Sequence, residues 1–141
     1  MGRPPITLVI VGRRYRCRHC TVVLIVVPRE TMPRRHYAAT AIALALVLYG
    51  TCGQSHAQVR AAVSSDLVVG VRAERRWATL SRWVDAAADR RIFAGLPVVP
   101  QGIGRRAVAA RAAMAIGAHA PPSMPEGAPV LRAFAGAVHM A

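Results

Sequence analysis

The chain has 141 residues, a formal net charge of +13 and a pI of about 11.7. That length holds one modest domain or two very small ones, and the charge suits a polyanion, either nucleic acid or an anionic membrane. Three cysteines do not make a disulfide framework, and six acids offer little material for a carboxylate-rich metal centre. All nineteen basic residues are Arg, and Lys and Asn are both absent. Their codons are A-rich, so the gene belongs to a GC-rich genome and part of the arginine content is coding bias. Codons for acids are not comparably excluded, so the shortage of acids favours a real basic surface.

Ile6 to Val11 and Thr21 to Val27 are rich in β-branched residues and predict the two strands of a hairpin, with Gly12 and the segment Cys17–Cys20 between them. Cys17-Arg18-His19-Cys20 presents two thiols to one metal ion, but a closed structural zinc site needs four ligands. A redox role would want a helix after the motif to lower the thiol pKa, and a strand-like run follows instead. Pro28 ends the second strand. Residues 29–36 read as a basic linker, and its Arg34 and Arg35 join the candidate DNA contacts.

Tyr37 to Tyr49 carries no charge, and Ile42, Ala45, Leu46 and Tyr49 fall at helical spacing. Gly50 and Gly53 predict its end. Ser55-His56-Ala57-Gln58 has the form of a capping box, which starts a short helix carrying Val59, Ala62 and Val63. Ser64, Ser65 and Asp66 break it. A third helix is expected from about Val71 to Arg90. At about 100° per residue, Trp77, Leu80, Trp83, Val84 and Ala87 share an arc of about 120°, with Arg75, Thr79 and Arg82 opposite. Leu96 to Gly102 is a connection punctuated by Pro and Gly. Residues 103–119 predict an Ala-rich helix, and a short helix follows from Val130.

A helix, a short capped helix, a break and an Arg-bearing helix follow the order of a helix-turn-helix unit. The last helix of such a unit enters the major groove, where Arg pairs with guanine edges and other Arg and Thr side chains grip phosphate. Arg75, Thr79 and Arg82 suit that role, and Arg76, at the boundary of the apolar face, suits a phosphate contact. The stretch from Ser64 to Val71 is longer than the usual turn. The competing reading is an amphipathic helix with a solvated Arg face.

The chain resembles bacterial transposase-associated zinc-ribbon/helix-turn-helix proteins, a domain of unknown function common in GC-rich genomes. The resemblance rests on Arg14-Tyr15-Arg16-Cys17-Arg18-His19-Cys20, on Val27-Pro28-Arg29 with Pro33-Arg34-Arg35-His36-Tyr37, and on Ala41-Ile42-Ala43-Leu44-Ala45-Leu46. It continues through Val59-Arg60, Val63-Ser64 and Trp77-Ala78-Thr79-Leu80-Ser81-Arg82-Trp83, and so spans roughly residues 6–90. It implies a zinc-ribbon hairpin followed by sequence recognition of DNA. A first Cys-x-x-Cys, expected a few dozen residues before Cys17, is absent, which predicts a ribbon truncated at its N-terminus. Cys17 and Cys20 then form an incomplete metal site. Zinc would bind only with ligands from another chain, as in a homodimer pooling four cysteines, or from a missing N-terminal segment. His19, His36, Cys52 and His56 match no zinc spacing.

A rival reading starts at Met32. Pro33-Arg34-Arg35-His36 then forms the basic region of a signal peptide, Ala38 to Leu48 its apolar region, and Ser55-His56-Ala57 a cleavage site before Gln58. Residues 32–57 would be removed from a small exported protein. A non-functional open reading frame is the other alternative. Asp85 and Asp89 share a helix face, but the flanking Arg90 and Arg91 suggest surface pairing, not catalysis. No phosphate-cradling Gly loop and no Ser/His/Asp arrangement stands out.

The expected protein is mainly α with an N-terminal β-hairpin, an incomplete zinc ribbon followed by helix-turn-helix-like helices. Its parts are a hairpin over 1–31, a helical domain over 32–94 and an Ala/Arg-rich helical tail over 95–141. The expected function is cytoplasmic, non-catalytic binding of double-stranded DNA by an accessory or regulatory protein of the mobile-element type. No small-molecule substrate is indicated, and a membrane partner is disfavoured.

Overall fold

The computed structural model describes residues 5–26, 28, 31–32, 37–64 and 76–140. Among them are an antiparallel hairpin of β1 (Arg13–Arg16) and β2 (Val23–Val26) and five helices. The helices are α1 (Ala39–Gly50), α2 (His56–Val63), α3 (Ala78–Ala88), α4 (Arg105–Ala118) and α5 (Pro129–Met140). The protein is therefore mainly α with an N-terminal β-hairpin.

The hairpin forms beside the cysteine turn, and its first strand is not the aliphatic run Ile6–Val11. The Cys17 backbone N–H donates to the Val22 carbonyl at 2.8 Å, and Thr21 donates to the Cys17 carbonyl at 3.1 Å. This closure sets the register, with Arg13 opposite Val26 and Arg16 opposite Val23. Continuing that register would bring Val11 opposite Pro28, which has no N–H to give to a ladder. Ile6–Val11 thus has strand propensity but is not a strand, and among the described residues the sheet consists of β1 and β2.

The helices assemble around α1. Ile42, Ala43, Ala45 and Leu46 are fully buried, and α1 packs against all four other helices. Ser55 caps α2 as its spacing predicts: its hydroxyl accepts from the Gln58 N–H at 3.3 Å, and the Gln58 side chain accepts from the Ser55 N–H at 2.9 Å. Val59 and Val63 of α2 are buried, whereas Ala62 is exposed. α3 begins at Ala78, later than its periodicity suggests, because Trp77 holds an extended backbone (φ −93°, ψ 101°). Its apolar face is as expected, with Trp77, Leu80, Trp83, Val84 and Ala87 all buried. The chain leaves α3 through a left-handed Arg90 (φ 58°), with Arg91 N–H donating to the Ala86 carbonyl and Arg90 N–H to that of Ala87. That is the Schellman pattern, formed here without the glycine that it favours.

The segment 95–141 shares one buried core with the helices before it. Ala109, Ala112 and Ile116 of α4 and Ala133 and Ala137 of α5 join the cluster built on α1 and α3. Two glycines set the distance between these helices. A Cβ on Gly50 would run into the Ala110 backbone of α4, and one on Gly136 would run into the Ile116 carbonyl. No helix among the described residues is long and apolar enough to cross a membrane.

Gly136→Ala should therefore destabilise the fold by about 1–3 kcal/mol, the usual range for overpacking a tight contact, although Ala has the higher helix propensity. Thermal and urea unfolding of the two proteins measure the difference. A variant as stable as the wild type would mean that α5 is free to shift away from α4.

Candidate nucleic-acid interface and cysteine turn

Two of the expected DNA contacts lie on α3, Arg82 opposite its buried face and Thr79 at the flank of that face. Arg82 is exposed and Thr79 is half-buried. Arg76 is also exposed, but it precedes the helix instead of riding on it, because α3 starts two residues later. Arg34, Arg35 and Arg75 lie outside the described residues. The structure thus places Thr79 and Arg82 on α3 and Arg76 two residues before its start.

α3 is held by aromatic and polar contacts at its N-terminal end. Tyr37 packs edge-on against both Trp77 and Trp83, with ring centroids 6.0 and 4.9 Å away, and the two indoles lie 5.1 Å apart. The hydroxyls of Tyr37 and Ser64 share a 3.0 Å hydrogen bond, which ties the start of α1 to the end of α2. His56, the first residue of α2, accepts the Trp77 backbone N–H on Nδ1 at 3.0 Å. That N–H lies at the start of α3, where the helix itself offers it no acceptor. The acceptor role also makes His56 an unsuitable partner for the cysteine pair.

Sequence reasoning passed over Arg106, which clamps the other end of this assembly. Its Nη1 donates to the Tyr49 carbonyl at 2.7 Å and its Nη2 to the Gln54 carbonyl at 3.1 Å. The guanidinium also lies 4.5 Å from the centre of the Tyr49 ring, whose other neighbour is His56, edge-on at 5.1 Å. No local pattern marks this residue, since its partners lie more than fifty positions away. The expected pairing of the acids with the flanking arginines holds for Asp89, which pairs with Arg91 at 2.6 Å. Asp85 instead takes Arg105, at the start of α4, in a two-pronged contact at 3.1–3.2 Å.

Cys17 and Cys20 are both exposed on the hairpin turn. The Cys17 thiol is held below its ordinary value of 9.0 by the backbone N–H of Cys20, then that of His19, then the Cys20 side chain. The turn passes through Thr21 at φ 59°, a left-handed conformation unfavourable for a β-branched residue. Two thiols on such a turn fit half of a tetrahedral zinc shell. Among the described residues no third His, Cys, Asp or Glu joins them, and Cys52 is separately exposed and free.

A cleft of about 300 Å³ opens between α1, α4 and α5, bordered by Val47, Thr51, Met114, Glu126 and Arg132. Its lining has no histidine or cysteine to pair as base and nucleophile. The chain matches no protein-family model, and neither a curated protein nor a solved structure is similar to it.

Two outcomes are expected. With two thiolates per chain, the purified monomer should retain no stoichiometric zinc by elemental analysis. One zinc per chain would require further ligands, and one per two chains would identify a shared site. The second outcome concerns His56, whose imidazole is held below 6.5 by partial burial and by the charges of Arg106, Arg76 and Arg105. The unfolded chain then binds the proton more readily, so stability rises with pH across this interval. The contribution is complete above about 6.5 and is lost as pH falls through the lower folded-state value. Melting temperature should drop on acidification, and His56→Asn, which keeps an acceptor but does not titrate, should weaken the drop. An unchanged pH profile in that variant would remove His56 from the explanation.

Proposed function

We propose that this protein binds double-stranded DNA through the exposed side of α3 and acts by binding, not catalysis, as an accessory or regulatory protein of the mobile-element type. The observation that carries this reading is the division of α3. Leu80, Trp83 and Val84 anchor it in the core while Arg82 faces solvent. An α-helix about 10–12 Å across with its side chains fits the major groove, about 12 Å wide. Arg82 has the fork of donors that a guanine edge or a phosphate accepts, Thr79 lies beside it, and exposed Arg76 suits a phosphate next to the groove. The net charge of +13 favours association with a polyanion in general.

The export reading makes residues 32–57 a disposable leader. Against it stands the position of α1 at the centre of the core, in contact with every other helix. Cleavage after Ala57 would remove that helix and the capping Ser55, so the packing favours a chain that keeps them.

Arg82→Ala and Leu80→Ala separate surface from core. Arg82→Ala should leave the melting temperature nearly unchanged and weaken duplex binding. Loss of a base contact costs about 1–3 kcal/mol and relaxes specificity at one position, whereas loss of a phosphate contact lowers the salt dependence. Leu80→Ala should cost roughly 2–5 kcal/mol of stability through the cavity it opens. Binding titrations at several salt concentrations beside thermal melts read both effects. Unchanged affinity, specificity and salt slope in Arg82→Ala would make this arginine an ordinary solvated residue.

A further inference from the structure

The N-terminal hairpin exposes aliphatic and cationic side chains side by side. Both strands are exposed along their whole length. Of the exposed large hydrophobic side chains among the described residues, only Val98, Met114, Leu131 and Phe134 lie outside residues 6–26. The same segment carries Arg13, Arg14, Arg16 and Arg18, all exposed, and the sequence has no acid before Glu30.

The register arranges these side chains in a definite way. Arg13 faces Val26, Arg14 faces Ile25, Tyr15 faces Leu24 and Arg16 faces Val23. Residues opposite each other in an antiparallel pair share a face, so each face of the ribbon is divided lengthwise. The β1 edge is cationic on both faces and the β2 edge is aliphatic on both. Val9 and Val22 extend the exposed apolar surface, at 95% and 52% exposure.

We propose that residues 5–26 are a peripheral binding element for an anionic lipid bilayer, with the aliphatic β2 edge seated at the acyl boundary and the β1 arginines against lipid phosphates. Interfacial binding of this kind adds apolar burial to attraction for anionic headgroups, and this ribbon offers both side by side. Arginine suits the position because its stem lies along apolar surface while its guanidinium stays at headgroup level. Tyr15, half-exposed among the arginines, has the amphipathic ring that collects at such interfaces. Among the described residues no strand pairs with the outer edge of β2, and that edge limits the depth, since only the headgroup region supplies water to satisfy it.

Competing occupants account for less. A nucleic acid would neutralise the arginines and leave Val22 to Val26 in water. A second copy paired edge-to-edge along β2 would leave the arginines without counter-charge and double their number on one sheet. The lipid surface meets both requirements, and it engages the hairpin independently of any DNA contact by α3.

Flotation of the full chain with vesicles tests this, using phosphatidylcholine alone and phosphatidylcholine with phosphatidylglycerol. The chain should float with the anionic vesicles and remain below with the neutral ones. Leu24→Ser with Ile25→Ser, and separately Arg14→Ala with Arg16→Ala, should each weaken that binding about tenfold or more, while circular dichroism confirms that the helices persist. Arg82→Ala should float like the wild type, which keeps this outcome separate from the DNA reading. Failure to float with anionic vesicles, or flotation undiminished in either double variant, overturns the proposal. So does lipid-free dimerisation abolished by Leu24→Ser with Ile25→Ser, which would assign the ribbon to a second copy. Duplex binding lost in Arg14→Ala with Arg16→Ala, with no vesicle binding, would assign it to nucleic acid.

Discussion

The close approach of α4 to α1 and of α5 to α4 is the constraint on which the rest of the fold depends. It is possible only because the contact points are glycine: Gly50 against the Ala109–Ala110 backbone and Gly136 against the Ile116 carbonyl. The same helices bury small side chains, Ala43 and Ala45 on α1, Ala112 and Ala113 on α4, and Ala133 and Ala137 on α5. Helices this close gain dispersion contacts along their backbones, in place of the interlocking of large side chains. The arrangement suits a chain with many alanines and only seven aromatic residues. Both tryptophans are then spent in one place, where with Tyr37 they fasten α3 to the beginning of α1.

From that core the position of the exposed α3 face follows. α3 rests on α4 and α1, and its entry is fixed through His56 on α2 and the aromatic cluster. α2 is fixed in turn by its capping box and by the Tyr37–Ser64 bond. Arg106 closes the circuit by binding the carbonyls of Tyr49 and Gln54 from α4. The Ala/Arg-rich C-terminal segment therefore supplies the clamp on the turn between α1 and α2. Arg82 is presented by a helix held at its start and along its buried face, the rigidity that the proposed DNA contact would require.

Legibility in the sequence follows the range of the interactions. The capping box at Ser55 and Gln58 and the apolar arc of α3 depend on neighbours within a few residues, and both could be read directly. The start of α3 could not, because its apolar periodicity extends upstream of Ala78. His56 supplies the acceptor for the Trp77 N–H from twenty-one positions away, so no local signal marks the boundary. The first strand departs from β propensity for a related reason. β propensity favours Ile6–Val11, but the turn closure at Cys17 and Val22 and the imino acid at Pro28 decide which residues have partners. Of the candidate site, Thr79 and Arg82 were legible from the helical period, whereas the displacement of Arg76 from the helix depends on that same unmarked boundary.

The arginines themselves bear on whether the charge is only a consequence of genome composition. Coding bias places arginine without regard to its surroundings, and the fold then has to accommodate it. In the helical part several are committed to structure: Arg91 to Asp89, Arg105 to Asp85, Arg106 to two carbonyls and Arg132 to the Met124 carbonyl. These are constructive uses of an abundant residue, and they need no external partner. Neither ion pair among the described residues involves Arg82 or the hairpin arginines. The excess charge thus divides into a part that the fold consumes and a part that it displays, on α3 and on β1. Composition bias explains why both parts are arginine, but it does not explain why the displayed part on β1 faces a strand of bare aliphatic side chains. The hairpin side chains lie outside the buried core, and an exposed apolar surface of this kind is what the proposed lipid contact would cover.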